Sequence, residues 1–348
     1  MKRCLSYDDV LIIPSRSDIE SRSMPNTSAE FCGINLKIPL ISSPMDTVTD
    51  GSFANELNRL GGIGIVHRFM SNSDQASEVL QIEDTRKRSF AVGVGDKEFD
   101  RLNYICDAIG EENLGFVNID VANGFSTLCK NMISNIKNRY PNLKVIAGSV
   151  ATEDGYRYLA DNGADAVRVG IGGGSICKTR IMTGIGLPTF HSILECNKAR
   201  RDKHFYTKVP IIADGGIRYP SDVVKALVAG ADLVMCGKIF AETEESCGYH
   251  FVGEDGESYK FYRGMASKEV QVEKRGGLKE GTCAEGVQTV LKIKGSLSDI
   301  LSEYSGGLKS AMTYVNALDL EELRRFSKFI EITRSGIDES HAFGTKYN

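Results

Sequence analysis

The residues best equipped for covalent chemistry share one loop. Gly170-Ile171-Gly172-Gly173-Gly174-Ser175-Ile176-Cys177-Lys178-Thr179-Arg180 packs four glycines and a cysteine directly behind a strand-like run at 165–169. Glycine allows positive φ and close approach, so such a loop can turn its amides and carbonyls toward a ligand. A thiol held there stands where a nucleophile is wanted, although free cysteine is commonly no more than a small buried residue. Thiolate attack needs an electrophilic carbon, a leaving group and a carrier for the proton. Thr179 offers a hydroxyl two residues on, and Arg180 either lowers the thiol pKa or faces solvent. A hydroxyl relays a proton only with a partner of suitable pKa, so a carboxylate must visit the loop. Glu285 and Glu280 are the candidates, and the pattern does not choose between them.

These groups need elements to position them. Eight short apolar runs recur along the chain, at 39–43, 63–66, 90–94, 116–120, 145–148, 166–169, 210–214 and 233–237. Near-continuous apolar strands alternating with helices imply a parallel sheet buried on both faces. The segments 127–139 and 220–228 have the spacing of amphipathic crossover helices, the second with Pro220 at its start. The fold class this predicts is α/β, a (β/α)8 TIM barrel. A doubly wound open sheet is the alternative, disfavoured because no G-x-G-x-x-G follows the first strand.

A barrel places its active site at the C-terminal ends of the strands. Five such ends are polar or glycine-rich: 43–46, 120–124, 170–174, Asp214-Gly215-Gly216 and Gly237. The last two βα loops of a barrel commonly bind phosphate through backbone amides. Asp214 cannot help a phosphate, but its carboxylate can accept both hydroxyls of a ribose. A nucleoside monophosphate satisfies both features.

Beyond 241 the pattern changes. The stretch 252–257 reads as a hairpin turn, and 274–288 is polar, glycine-rich and long for a connection, the mark of either a functional flap or a disordered segment. The segment 320–329 reads as a helix and the last dozen residues as an extended arm. The expected organisation is one catalytic barrel over 1–348, with a flap at about 268–290 and an arm at about 331–348.

Composition narrows the partners. A net charge of -4 with scattered basic residues gives no nucleic-acid surface. No apolar run approaches the roughly 20 residues that span a membrane. The N-terminus turns acidic at Asp8 and Asp9 before a signal-peptide core can form. Nine dispersed cysteines without a C-x-x-C pair suit free thiols in a reducing cytoplasm.

Across nearly its whole length the chain resembles the IMP dehydrogenase/GMP reductase family. The motifs carrying the resemblance are Tyr7-Asp8-Asp9-Val10-Leu11, Pro44-Met45-Asp46-Thr47-Val48, Asp120-Val121-Ala122-Asn123-Gly124 and the loop 172–179. They continue with Asp214-Gly215-Gly216-Ile217, Tyr262-Arg263-Gly264-Met265 and Gly306-Gly307-Leu308-Lys309-Ser310. The resemblance implies a barrel, usually tetrameric, that acts on purine nucleotides through a covalent cysteine adduct at purine C2. It makes Cys177 the nucleophile and Thr179 its hydroxyl partner. Ser175, Gly216, Gly237 and Tyr262 would hold the phosphate, Asp214 the ribose, and Met265 the base through its backbone. Asp120, Asn123 and Gly124 would bind the nicotinamide cofactor. Gly172, Gly174 and Cys177 match positions whose carbonyls bind potassium in the dehydrogenases.

The family divides by reaction. Dehydrogenases oxidise IMP with NAD and hydrolyse the adduct; reductases deaminate GMP and reduce it with NADPH. Dehydrogenases usually carry two CBS modules, whereas here Ile82-Glu83-Asp84-Thr85-Arg86 leads almost directly to the next strand. Dehydrogenase flaps are similar to one another in an Arg-Tyr pair that activates water. Residues 268–286 contain Arg275 but no tyrosine. The run Gly276-Gly277-Leu278…Ala284-Glu285-Gly286 resembles reductases and makes Glu285 the proton partner of Thr179. Against this, Ser43-Pro44-Met45 and Gly336-Ile337-Asp338-Glu339-Ser340-His341 resemble bacterial dehydrogenases. Thr282 stands where reductases have arginine, which leaves Lys274 or Lys279 to meet a cofactor phosphate. The expected function is GMP reductase: NADPH-dependent deamination of GMP to IMP and ammonia, in a cytoplasmic homotetramer, with NADH possible. The alternatives are a CBS-less IMP dehydrogenase and a nucleotide-binding pseudoenzyme.

Overall fold

Seven short strands run parallel in the order Leu40–Ser42, Leu233–Cys236, Ile211–Asp214, Ala166–Val169, Lys144–Val150, Phe116–Asp120, Ser89–Val92. This computed structural model describes residues 3–202, 208–275, 277 and 283–341. The two edges of the sheet meet at the run 63–66, which bridges Ile41 through Ile63 and Phe90 through Val66. All eight apolar runs are therefore staves of one closed (β/α)8 barrel. The eighth is joined by isolated bridges only, in a segment broken by Gly64.

Inside the barrel, Ile41, Ile63, Ile65, Ala91, Phe116, Ile146, Ala166, Ile212, Leu233 and Met235 form one apolar cluster with Phe31, Ile34 and Leu36. The last three come from the hairpin Ala29–Phe31/Ile34–Leu36, whose Phe31 packs on Phe116 at 5.4 Å between ring centroids. Branched and aromatic side chains so packed make a solid core rather than a pore.

The helices coat the outside for reasons written in their sequences. Thr127–Arg139 starts where the Ser126 hydroxyl accepts from the Cys129 amide, and it buries Cys129, Met132, Ile133 and Ile136. That spacing is one face of a 3.6-residue helix. Pro220–Ala229 carries its proline in the first turn, where the missing N–H costs nothing. Asn72–Leu80 is followed by Ser89–Val92 across residues 81–88, with no module between them.

Three expectations about the C-terminal part are corrected. The tail helix ends early, as Leu320–Phe326, and Phe329–Glu331 instead pairs antiparallel with Val10–Ile12. Its partner lies at the other end of the chain, beyond the reach of local pattern. Within the expected arm, Arg334–Glu339 is a short helix capped by Thr333; residues 342–348 lie outside the described residues. The flap is more ordered than a bare connection. It opens with the helix Lys268–Arg275 and returns into Gln288–Lys292, the third strand of a sheet whose other members, His250–Val252 and Ser258–Arg263, flank the expected hairpin turn. Glu280, Lys279 and Thr282 lie outside the described residues.

Candidate active site

One cavity of about 710 Å³ opens at the C-terminal ends of the barrel strands. Sites for small molecules and cofactors occupy roughly 300–1,000 Å³. Its walls include all three expected catalytic residues, all six expected substrate ligands, and Asp120, Gly172 and Gly174.

Cys177 is exposed at the mouth of this cavity. Its thiol donates to Thr179 Oγ1 at 3.2 Å, and the Thr179 hydroxyl donates to Glu285 Oε2 at 2.7 Å. Glu285 reaches Thr179 because its backbone is stitched in place. Its carbonyl accepts from the Lys178 amide at 2.7 Å, its amide donates to the Ala266 carbonyl at 3.0 Å, and Val287 donates to Ile176 at 3.1 Å. Sulfur, hydroxyl and carboxylate thus form one hydrogen-bonded chain that ends on Glu285.

Arg180 turns back onto its own loop. Its Nε donates to the Ile171 carbonyl at 2.9 Å, and Nη2 donates to the Leu187 carbonyl. Burial pulls its pKa down, with Cys177 opposing. A side chain added at Gly172, which has φ +74°, would strike Arg180 Cγ at 2.6 Å. Arg180 is a strut beneath the cysteine loop.

Ser175, Gly216, Gly237 and Tyr262, the expected phosphate ligands, line the wall. Burial pushes the Tyr262 phenol above its ordinary range, with the hydrogen bond to Ser175 opposing, so it stays a neutral donor. A Cβ on Gly237 would lie 2.9 Å from the Tyr262 hydroxyl, and one on Gly216, at φ +88°, would lie 3.1 Å from the Tyr7 ring. Neither glycine leaves room for a side chain, so only backbone lines the cavity at these two positions.

Asp214 sits at the end of its strand, as expected, but not alone. Arg168 Nε lies 3.4 Å from Asp214 Oδ2, Arg168 Nη2 lies 2.7 Å from Asp120 Oδ1, and the Ser149 hydroxyl reaches Asp214 at 3.4 Å. Burial raises the Asp214 pKa while Arg168 pulls it down. Burial opposes the Arg168 charge, yet Asp120 and Asp214 outweigh it and the guanidinium pKa rises. Neither Arg168 nor Ser149 was singled out from sequence. The available signal was an arginine inside the apolar run Ala166–Val169, where a buried charge demands partners.

Two expected cofactor residues stand back from the cavity wall. Asn123 accepts from the Phe125 amide at 3.1 Å, and the Gly124 amide donates to the Ser149 carbonyl at 2.7 Å. They shape the loop after Asp120; Asp120, Val121 and Ala122 form the wall itself, with Arg68 and Phe69. Met265, the expected base contact, lines the cavity with Gly264 and Gly286.

Comparison with known proteins matches the geometry. A family model described as the IMP dehydrogenase / GMP reductase domain covers residues 4–343. The chain belongs to this family. It is similar to an inosine-5'-monophosphate dehydrogenase of Cryptosporidium parvum, at 35% identity over 97% of this chain and 94% of that one. It is similar to GMP reductase 2 of Homo sapiens, at 34% identity over 95% of this chain and 94% of that one. Among solved structures, a variant of Trypanosoma brucei GMP reductase in complex with guanosine 5'-monophosphate superposes with a TM-score of 0.89. That match covers 99% of this chain and 98% of the other at 26% identity. In this family member, no helix among the described residues is long and apolar enough to cross a membrane.

Proposed function

We propose that the protein is a GMP reductase, an oxidoreductase of purine nucleotides built as one barrel with an active-site flap. The observation that carries this reading is the 2.7 Å hydrogen bond from Thr179 to Glu285, continuous with the Cys177 thiol. Deamination needs a proton delivered to the leaving nitrogen, and a hydroxyl backed by a carboxylate delivers one.

In this scheme the Cys177 thiolate attacks C2 of GMP, forming an S–C2 bond. Thr179, recharged by Glu285, protonates the departing amino group, which leaves as ammonia. Ser175, Tyr262 and the amides near Gly216 and Gly237 hold the phosphate, Asp214 the ribose hydroxyls, and the Met265 backbone the base. NADPH, when bound, supplies the hydride that reduces C2, after which the S–C2 bond breaks and IMP departs with the thiolate restored. Asp120 offers the cofactor a carboxylate already held by Arg168, and Asn123 and Gly124 support that wall from behind. NADH is a weaker candidate for the same place.

The carbonyls of Gly172, Gly174 and Cys177 are the proposed ligands of a monovalent cation, potassium. Neutral oxygen dipoles suit an alkali ion, whereas a divalent ion of the calcium or magnesium class would call for carboxylates. The Gly174 carbonyl also accepts the Cys177 amide at 3.1 Å, so a cation there would stiffen the nucleophile's loop. The protein is proposed to work as a homotetramer in the cytoplasm. Nine dispersed cysteines with no C-x-x-C pair support the reducing compartment.

The second reading, an IMP dehydrogenase, is favoured by the identity with the Cryptosporidium enzyme and by Ser43, Pro44 and Met45 in the cavity wall. It lacks a tyrosine in 268–286 to pair with an arginine for water activation. Two cuvettes decide the matter. Loss of nicotinamide absorbance with GMP and NADPH, accompanied by ammonia, supports the reductase; a rise with IMP and NAD, and silence in the first, refutes it.

A further inference from the structure

Arg263 links three parts of the molecule that meet around the cavity. It is the last residue of Ser258–Arg263, next to Tyr262 and two residues before Met265. Its Nε and Nη2 lie 3.1 and 2.6 Å from Asp46 Oδ2, while Nη1 lies 2.6 Å from Glu273 Oε2. Asp46 follows Met45 on the loop after the first barrel strand, and its side chain is 7% exposed. Glu273 belongs to the flap helix Lys268–Arg275 and is 49% exposed. One guanidinium therefore spans a buried carboxylate of the barrel and an exposed carboxylate of the flap. The Asp46 and Glu273 hydrogen bonds together hold its pKa well above the ordinary range.

We propose that Arg263 is a positioning residue, which registers the flap helix on the nucleotide site through Glu273. The inference rests on reading this cavity as the nucleotide site. Apart from Val270, which is buried, the flap helix is a poor hydrophobic anchor, since Lys268, Glu269, Gln271 and Glu273 are polar or charged and Val272 is exposed. Gln271 from this helix nonetheless lines the cavity, so its aim must come from something other than apolar packing. An exposed ion pair normally contributes little, because two long side chains must be ordered together. Here Asp46 has already immobilised the arginine, so only Glu273 loses freedom when the pair forms. Specificity of placement also follows from the fork geometry: a guanidinium can serve two carboxylates at fixed angles, and an ammonium cannot.

The test uses the whole protein and three variants, Glu273→Ala, Glu273→Gln and Arg263→Lys. The first readout is trypsin cleavage after Lys274 or Arg275 without any nucleotide. The proposal expects cleavage there to quicken about two- to fivefold in all three variants, the range that an ion pair of this kind supports. Melting temperature should stay unchanged in the Glu273 variants. Raising the salt concentration should speed cleavage of the wild type toward the variants and leave Glu273→Ala unmoved. The second readout is steady-state turnover, in which KM for GMP should rise by a similar factor with kcat less affected. Equal cleavage rates in wild type and Glu273→Ala, at low and high salt, overturn the proposal. The proteolysis arm does not depend on which reaction the enzyme performs. A protein that cleaves as expected but turns over neither nucleotide pair would sink the functional reading and leave the latch standing.

Discussion

Thr179 donates its hydroxyl hydrogen to Glu285 across 2.7 Å, although the two are 106 residues apart in the chain. The bond exists because residues 285–287, just before the flap's return strand, are hydrogen-bonded to the cysteine loop on one side and to Ala266 on the other. A carboxylate on a loop is ordinarily a solvated charge; here the backbone ladder makes it part of a relay.

Replacing Glu285 with Gln keeps a side chain that can accept the Thr179 hydrogen bond but not the proton. Ammonia release should slow by on the order of 10²- to 10⁴-fold, while hydride transfer to a pre-formed adduct changes little. Rapid-quench measurement of ammonia beside stopped-flow nicotinamide absorbance separates the steps. Equal slowing of both would remove Glu285 from the relay.

Cys177→Ser should abolish turnover and leave affinity for GMP nearly intact, because the phosphate and ribose contacts come from other residues. Titration calorimetry with GMP, run alongside the activity assay, checks this. Substantial residual turnover would contradict covalent catalysis.

Removing the Arg168 charge, as in Arg168→Met, leaves Asp120 and Asp214 facing each other without a cation. Breaking a buried pair in this way costs about 3–5 kcal/mol. The stranded carboxylates would have raised folded-state pKa values, so the variant loses stability as pH climbs through those values and recovers as they protonate. Thermal melts should show a large deficit at pH 7 and a smaller one at pH 5. A deficit independent of pH would mean that lost packing, not charge, is responsible.

Lys260 is fully buried on the strand beside Tyr262, bonded to Ser246 Oγ at 2.6 Å and to the Cys247 carbonyl. Burial lowers its pKa from 10.5 to about 8. A depressed lysine disfavours the folded state while it is charged, that is below about pH 8. Between 8 and 10.5 the unfolded chain holds the proton and the folded one does not, so stability rises with pH across that window, by about 3 kcal/mol in all. The melting temperature of Lys260→Met minus that of wild type should therefore fall from pH 7 to pH 10. A constant difference would show that the amine is not desolvated.

Gly216→Ala forces a side chain onto φ +88° and against the Tyr7 ring at 3.1 Å. Affinity for inorganic phosphate and for GMP should drop together, while guanosine binding is unaffected. Equal weakening for guanosine would locate the damage elsewhere in the site.

Much of this could be read from one dimension. The eight staves were visible because strands buried on both faces must be apolar throughout, and Thr127–Arg139 was visible because a helix buries one stripe. The cysteine loop stood out for its glycines, and Asp214 for ending a strand of a barrel. The misses have a common cause. Phe329–Glu331 pairs with Val10–Ile12, Gln288–Lys292 pairs with Ser258–Arg263, and Arg168 serves Asp120 and Asp214. Each of these depends on a partner that is distant in sequence.

The amino-acid order by itself determined the closed barrel, the position of its mouth and the glycine-rich loop that carries Cys177, because periodicity, burial and glycine placement are local properties. Only the tertiary structure brought Glu285 within hydrogen-bond distance of Thr179, tied Arg180 to the carbonyls of Ile171 and Leu187, and set Asn123 and Gly124 off the cavity wall. Those are matters of distance between loops, and hydrogen bonds and charges act over a few ångströms that sequence separation does not measure.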